Sequence, residues 1–173
     1  MKKIFILALL ACALAFPATA VQKDRLSLSL QLTTGEHSPD SNAQTVLITL
    51  ADDQLTYEQT FSGYGADSRT PVHREFKLKG SEIARLKSLI KERNLLGTGG
   101  LKFTPAPGQF NYFEMTIKVT LKGIIATQEL SGPRAAANIK AERVYQKSLA
   151  LMQELYRLIN LRDKEIRYEE PVN

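Results

Sequence analysis

Strict alternation of apolar and polar side chains is the feature that most constrains how this chain can fold. Residues 25–33, RLSLSLQLT, place a leucine at every second position, and residues 112–121, YFEMTIKVTL, repeat the pattern with other apolar side chains. Successive side chains of a β-strand point to opposite faces, so a period of two predicts a strand with one buried face. The chain is therefore expected to build a sheet that is covered on one side.

Further alternation and turn residues predict the remaining strands. TVLITL and LTYEQTF flank ADDQ at residues 51–54, which predicts an antiparallel hairpin, and residues 72–78 predict a shorter strand. After a Lys-Gly turn, residues 124–130 are expected to pair back on the preceding strand. Residues 97–110 contain four glycines and two prolines and are predicted to hold no regular structure.

Two segments show helical spacing instead. Ser81 can cap a helix that ends at Gly97 and turns one apolar stripe inward, and a longer helix is predicted from about Asn138 to Arg162. The stripe of the longer helix is wide enough to lie across a sheet. Its members are Val144, Leu149, Leu151, Met152, Leu155, Tyr156, Leu158 and Ile159.

The order β-β-β-β-α-β-β-α, with short hairpin turns, predicts an α+β fold. We expect an antiparallel sheet of five to six strands with two helices packed on one face. A domain of this size can bury one hydrophobic core without cross-links, so residues 21–162 are predicted to form a single domain. Residues 163–173 are strongly charged and are expected to fray.

The first residues have the composition of an export signal. Lys2 and Lys3 precede an apolar run over residues 4–16, and small residues lead up to Ala20, after which signal peptidase is expected to cut. The run has 13 residues, fewer than the roughly 20 that a membrane-spanning helix needs, so no transmembrane span is expected. Cleavage after Ala20 predicts a periplasmic or secreted protein.

Cys12 leaves a second interpretation open. The segment Leu9-Leu10-Ala11-Cys12 resembles the bacterial lipobox, whose cysteine is acylated, and this predicts a lipoprotein anchored at the envelope. If the cut follows Ala20 instead, the only cysteine is removed and the mature domain can form no disulfide.

The charge balance is mildly basic. Removal of the leader takes two of the 23 basic residues, against 18 acidic ones, and lowers the formal net charge from +5 to +3. This charge, together with export, argues against a nucleic-acid partner. A local basic excess at residues 69–93 includes Arg85, Lys87 and Lys91. It predicts either a solvated helix face or a contact with an acidic partner or an anionic surface.

The spacing of reactive side chains predicts no catalytic or metal-binding site. His37 and His73 lie on different predicted elements, and only Glu75 shares a strand face with His73. The sequence has no G-x-S-x-G motif and no cysteine beyond the leader. We expect no metal and no cofactor. A hydrolase would have to use carboxylate pairs, such as Glu58 or Glu114 on the outer sheet face.

Four aromatic residues lie in or beside two loops that are rich in glycine and proline. Tyr64 belongs to the loop at residues 63–71, and Phe103, Phe110 and Tyr112 belong to the later loop or follow it directly. Aromatic side chains on polar loops often anchor protein contacts, so these four form a candidate binding surface. The alternative is that their rings fold back and cap the core.

Three segments, SEIARLKSLI, FNYFEMTIKVTLKG and YQKSLALMQELYRLI, cover the first helix, the clearest strand and the last helix. With their order in the chain, they resemble emfourin, a small family of protein inhibitors of thermolysin-like metalloproteases. The resemblance implies an α+β fold and inhibition of a protease, and it carries over no individual functional residue.

Together these features predict an exported binding module, monomeric or weakly dimeric, whose partner is another protein. Protease inhibition is the most specific form of this expectation. A carboxylate-dependent hydrolase and an envelope lipoprotein anchored through Cys12 are the alternatives.

Overall fold

The computed structural model describes residues 25–36, 42–63, 66–103, 111–135, 137–168 and 170–172. Within these residues the chain forms seven β-strands, three α-helices and one short 3-10 helix. In chain order they are β1 (Leu26–Glu36), β2 (Ala43–Ala51), β3 (Gln54–Ser62), the 3-10 helix (Ala66–Ser68), β4 (Val72–Lys77), α1 (Gly80–Glu92), β5 (Gly99–Lys102), β6 (Asn111–Leu121), β7 (Ile124–Pro133), α2 (Ala137–Ala141) and α3 (Arg143–Asn160).

The seven described strands form one mixed sheet with the order β4-β3-β2-β1-β6-β7-β5. Neighbours pair antiparallel, except that β5 runs parallel to β7. The predicted hairpins are present, and Lys122 and Gly123 between β6 and β7 both have the positive φ that a two-residue hairpin favours. The α+β class is confirmed. Within the described residues, the sheet has seven strands rather than five or six and is not purely antiparallel, and there are three α-helices rather than two.

Strand β5 lies within residues 97–110, which are predicted to be irregular. It pairs with β7, and just beyond it the Phe103 amide donates a hydrogen bond to the Ser131 carbonyl at 2.9 Å. The prediction is wrong at β5 because strand propensity reflects side-chain packing, whereas the edge of β7 offers backbone groups that need partners. Backbone pairing outweighs the low strand propensity of two glycines.

The core lies between one face of the sheet and helices α1 and α3. Alternate residues of the central strands are buried, as the alternation predicts, and Ile117 on β6 is only 1% exposed. Tyr57 and Phe113 of the sheet meet Tyr156 and Tyr145 of α3 edge to face, with ring centroids 6.1 and 6.2 Å apart. One continuous cluster of buried side chains therefore joins the sheet to both helices.

The helix predicted from Asn138 to Arg162 is divided in two. Glu142 has an extended backbone, with φ −71° and ψ 128°, and separates α2 from α3. The apolar stripe of α3 is buried as predicted, apart from Val144, which is partly buried. No helix in the described part of the chain is long and apolar enough to cross a membrane.

The charged tail packs against the domain where it is described, although residues 163–173 are predicted to fray. Ile166 is 7% exposed and Val172 is fully buried. The Arg134 guanidinium donates hydrogen bonds to the carbonyls of Glu170 and Pro171, at 3.3 and 3.1 Å. Charge content alone is misleading here, because a few apolar side chains and backbone carbonyls hold the segment in place.

Candidate functional site

A surface groove runs between helices α1 and α3. Each helix turns its apolar stripe to the sheet, so their polar sides face solvent next to one another and enclose a groove of about 430 Å³. Helical spacing repeats on both walls, because residues three and four apart share a face. The lining residues are Arg85, Ser88, Leu89, Glu92, Arg93, Ala150, Gln153, Glu154 and Arg157.

Glu154 is held between two arginines in this groove. Arg157, on the next turn of α3, donates two hydrogen bonds to its carboxylate, at 2.7 and 2.9 Å, and the Arg85 Nε from α1 lies 2.9 Å from Oε1. The side chain of Glu154 is 8% exposed. Hydrogen bonds from Arg157 keep the pKa of Glu154 below its usual value, although burial opposes them, and the nearby Arg85 adds to the lowering. The ionised carboxylate therefore fixes both guanidinium groups.

The remaining charge of the groove is positive. Three arginines line it against two glutamates, and the carboxylate of Glu154 is already shared by two of the arginines. Arg93 is exposed and makes no ion pair or hydrogen bond through its side chain within the described residues. Arg85 keeps 64% of its side chain exposed. Guanidinium groups bind carboxylates through paired N–H donors, so the groove offers a site for an acidic side chain.

The predicted basic residues fall on one helix but not all in the groove. Arg85 lines it, whereas Lys91 is exposed and Lys87 half-buried elsewhere on α1. Arg93, the last residue of the predicted basic excess, also lines the groove, whereas sequence reasoning missed Glu154 and Arg157. The sequence shows charged residues at helical spacing on the polar sides of both helices. This spacing predicts a shared groove only if α1 and α3 are known to be neighbours.

The structure does not bring the predicted aromatic residues together. Tyr64 and Phe110 lie outside the described residues. Phe103 is half-buried and packs against the core next to Gly132, where a Cβ would lie 2.9 Å from the Phe103 Cβ. This is the capping arrangement. Tyr112 is half-buried on the opposite face of the sheet, since its neighbour Phe113 points into the core.

The outer sheet face carries a separate polar cluster. His73 on β4 lies 3.2 Å from Glu58 on β3 and 3.3 Å from Glu75, and all three side chains are at least 43% exposed. Glu58 and Glu114 are three strand spacings apart, about 14 Å, which is too far for the carboxylate pair of a glycosidase. Among the described residues, no group of three or more His, Cys, Asp or Glu side chains could hold a metal ion.

No family model matches the chain, and no curated protein matches it.

Proposed function

We propose that this chain is an exported binding module that holds an acidic segment of a partner protein in the groove between α1 and α3. The observation that carries the proposal is the pair of exposed arginines, Arg85 and Arg93, in a groove where the carboxylate of Glu154 is already paired with Arg85 and Arg157. An acidic side chain placed there meets oriented donors, because the Glu154 contact holds Arg85 in position. Three arginines against two glutamates leave the lining positive, which disfavours a basic partner.

The lining of the groove favours a protein over a small molecule. Small-molecule sites are mostly apolar with a few convergent polar groups, whereas this groove has only Leu89 and Ala150 as apolar lining residues. Arginine is enriched in protein–protein interfaces and among the residues that dominate their binding energy. Both points support a macromolecular partner.

Protease inhibition is the most specific form of the proposal. It rests on the similarity of element order to emfourin and on the expected export, which would bring the protein together with exported proteases. A thermolysin-like metalloprotease assayed with increasing amounts of the purified protein tests it directly. We expect stoichiometric loss of protease activity, and unchanged activity at a large molar excess would remove this form of the proposal.

Site-specific photocrosslinking tests the groove itself. A photoreactive amino acid is placed at Arg93 in one variant and at Lys118, an exposed residue of the outer sheet face, in a control. Illumination of the producing cells is expected to yield a protein adduct from position 93 and not from position 118. Equal adducts from both positions, or an adduct from position 118 alone, would contradict the proposal.

The location of the protein is tested by the mass of its N-terminus. A mature chain that begins at Val21 supports the exported soluble form, whereas an acylated Cys12 supports the membrane-anchored alternative. Both residues lie outside the described part of the chain. Either result is compatible with the groove, so this measurement decides only where the module works.

A further inference from the structure

A second depression lies on the other flank of α3. It has a volume of about 440 Å³ and shares two residues of α3 with the arginine groove, Gln153 and Arg157. These two residues form a ridge with one depression on each side. The second depression is lined by Gln153, Tyr156, Arg157, Asn160, Leu161 and Tyr168.

This depression differs from the arginine groove in chemistry. Leu161 has 64% of its surface exposed, and Tyr156 and Tyr168 pack edge to face with centroids 5.2 Å apart. Burial raises the pKa of Tyr168 to about 12, so its phenol stays neutral at physiological pH. Arg157, shared with the groove, is the only charged residue among those that line it. An apolar side chain would fit against this surface.

The walls of the depression are held in place. Tyr168 comes from the C-terminal segment, which Ile166 and Val172 anchor in the core. Leu161 directly follows α3, and its amide donates a hydrogen bond to the Arg157 carbonyl at 3.2 Å. Little conformational entropy would therefore be lost on binding, which favours use of this surface as a docking site.

We propose that the arginine groove and this apolar depression form one docking surface, whose occupant is a partner segment with an acidic and a large apolar side chain. The inference rests on the proposed function and names the chemistry of the partner. The acidic group enters the groove that Arg85 and Arg93 line, and the apolar group covers Leu161 and Tyr168. Charge complementarity selects the first contact, and removal of Leu161 from water favours the second.

The size of α3 sets the spacing of the two side chains. A helix with its side chains is about 10 Å across, so the two depressions are separated by a distance of that order. Leu161 also lies seven positions after Glu154, which adds about 10 Å along the helix at 1.5 Å per residue. An extended peptide advances about 3.3 Å per residue, which places the acidic and apolar side chains about three to six positions apart.

Selection from a random peptide display library tests this inference without knowledge of the natural partner. The purified exported protein is the bait, with the variants Leu161→Ser and Arg93→Glu, and Ile125→Ser as a matched control at another exposed apolar residue. We expect enriched peptides to carry Asp or Glu about three to six positions from Leu, Phe or Tyr. Leu161→Ser and Arg93→Glu should each lower the affinity for these peptides about tenfold or more, and Ile125→Ser should leave the affinity unchanged.

The outcomes separate the two proposals. One outcome is that the selected peptides are acidic but lack an apolar residue, and that Arg93→Glu weakens their binding while Leu161→Ser does not. This outcome would overturn the two-part surface and leave the groove proposal in place. Peptides that bind the Arg93→Glu variant as well as the wild-type protein would contradict both proposals. A selection that enriches no common pattern would overturn the inference.

Discussion

The two sides of the sheet carry similar clusters of ionisable side chains in different settings. In the helix layer, Glu154 lies between Arg85 and Arg157 and is 8% exposed. On the uncovered side, His73 lies between two glutamates of β3 and β4 and is 57% exposed. The sequence alone shows both clusters only as charged positions on polar faces.

The difference lies in what surrounds each cluster. On the open sheet face water screens the charges, and exposed pairs of this kind contribute about 0–1 kcal/mol. Two helices side by side create a concave surface, in which Glu154 is shielded and the arginines are held in fixed positions. Similar side chains therefore form an exposed cluster of little energetic effect in one place and a candidate site in the other.

The largest expected effect separates the covered side from the open one. Ile117→Ala on the covered face should lower the free energy of unfolding by about 2–5 kcal/mol, because it leaves a cavity in the core. Thr116→Ala, its neighbour on the open face, should change that free energy by about 1 kcal/mol or less. Urea unfolding of both variants measures the difference. Equal losses would show that the outer face is also covered in solution.

A smaller effect is expected at a polar group on the covered side. Gln128 is 5% exposed, donates to the Gly97 carbonyl at 3.3 Å and accepts from the Ser148 hydroxyl at 3.3 Å. Gln128→Ala should lower the free energy of unfolding by about 1–3 kcal/mol, because it leaves buried partners unsatisfied. A double-mutant cycle with Ser148→Ala should reveal coupling between the two. Strict additivity would mean that the hydrogen bond contributes nothing.

The smallest effect concerns acid stability and compares the two clusters directly. Because the pKa of Glu154 is lowered in the folded state, its contribution to stability is complete above the ordinary carboxyl pKa of 4.5 and is lost as pH falls below it. Glu154→Gln should lower the free energy of unfolding by about 1 kcal/mol at neutral pH, a small effect because water screens the exposed arginines. At a pH where wild-type Glu154 is protonated, the substitution should leave that free energy unchanged. Unfolding is followed by circular dichroism from neutral to acidic pH.

Glu75→Gln on the open face is the control for this series. Its carboxylate is exposed, so the change should alter the free energy of unfolding by less than about 0.5 kcal/mol at neutral pH. A loss at Glu75 as large as that at Glu154 would remove the distinction between the clusters.

Side-chain periodicity predicted most of the fold. Alternation identified six of the seven described strands, and helical spacing identified α1 and α3 with their buried stripes. Periodicity did not predict β5, where two glycines pair with the free edge of β7. It also did not predict the extended backbone at Glu142, which interrupts a helical pattern. The failure at β5 occurs where pairing with a distant part of the chain decides the local backbone.

The candidate site was predicted less completely. The basic excess at residues 69–93 pointed to Arg85, but Glu154 and Arg157 lie about 70 residues later on another helix. Leu161 and Tyr168 belong to the end of the last helix and to a segment expected to fray. Only packing of that segment against α3 brings them together.

By itself the sequence determined which face of each strand and helix is buried, because that choice depends on side chains two to four positions apart. Only the tertiary structure decided that α1 and α3 are neighbours and that the tail closes over the end of α3. Those arrangements come from long-range burial of the shared core, and they turn scattered arginines and a leucine into one surface.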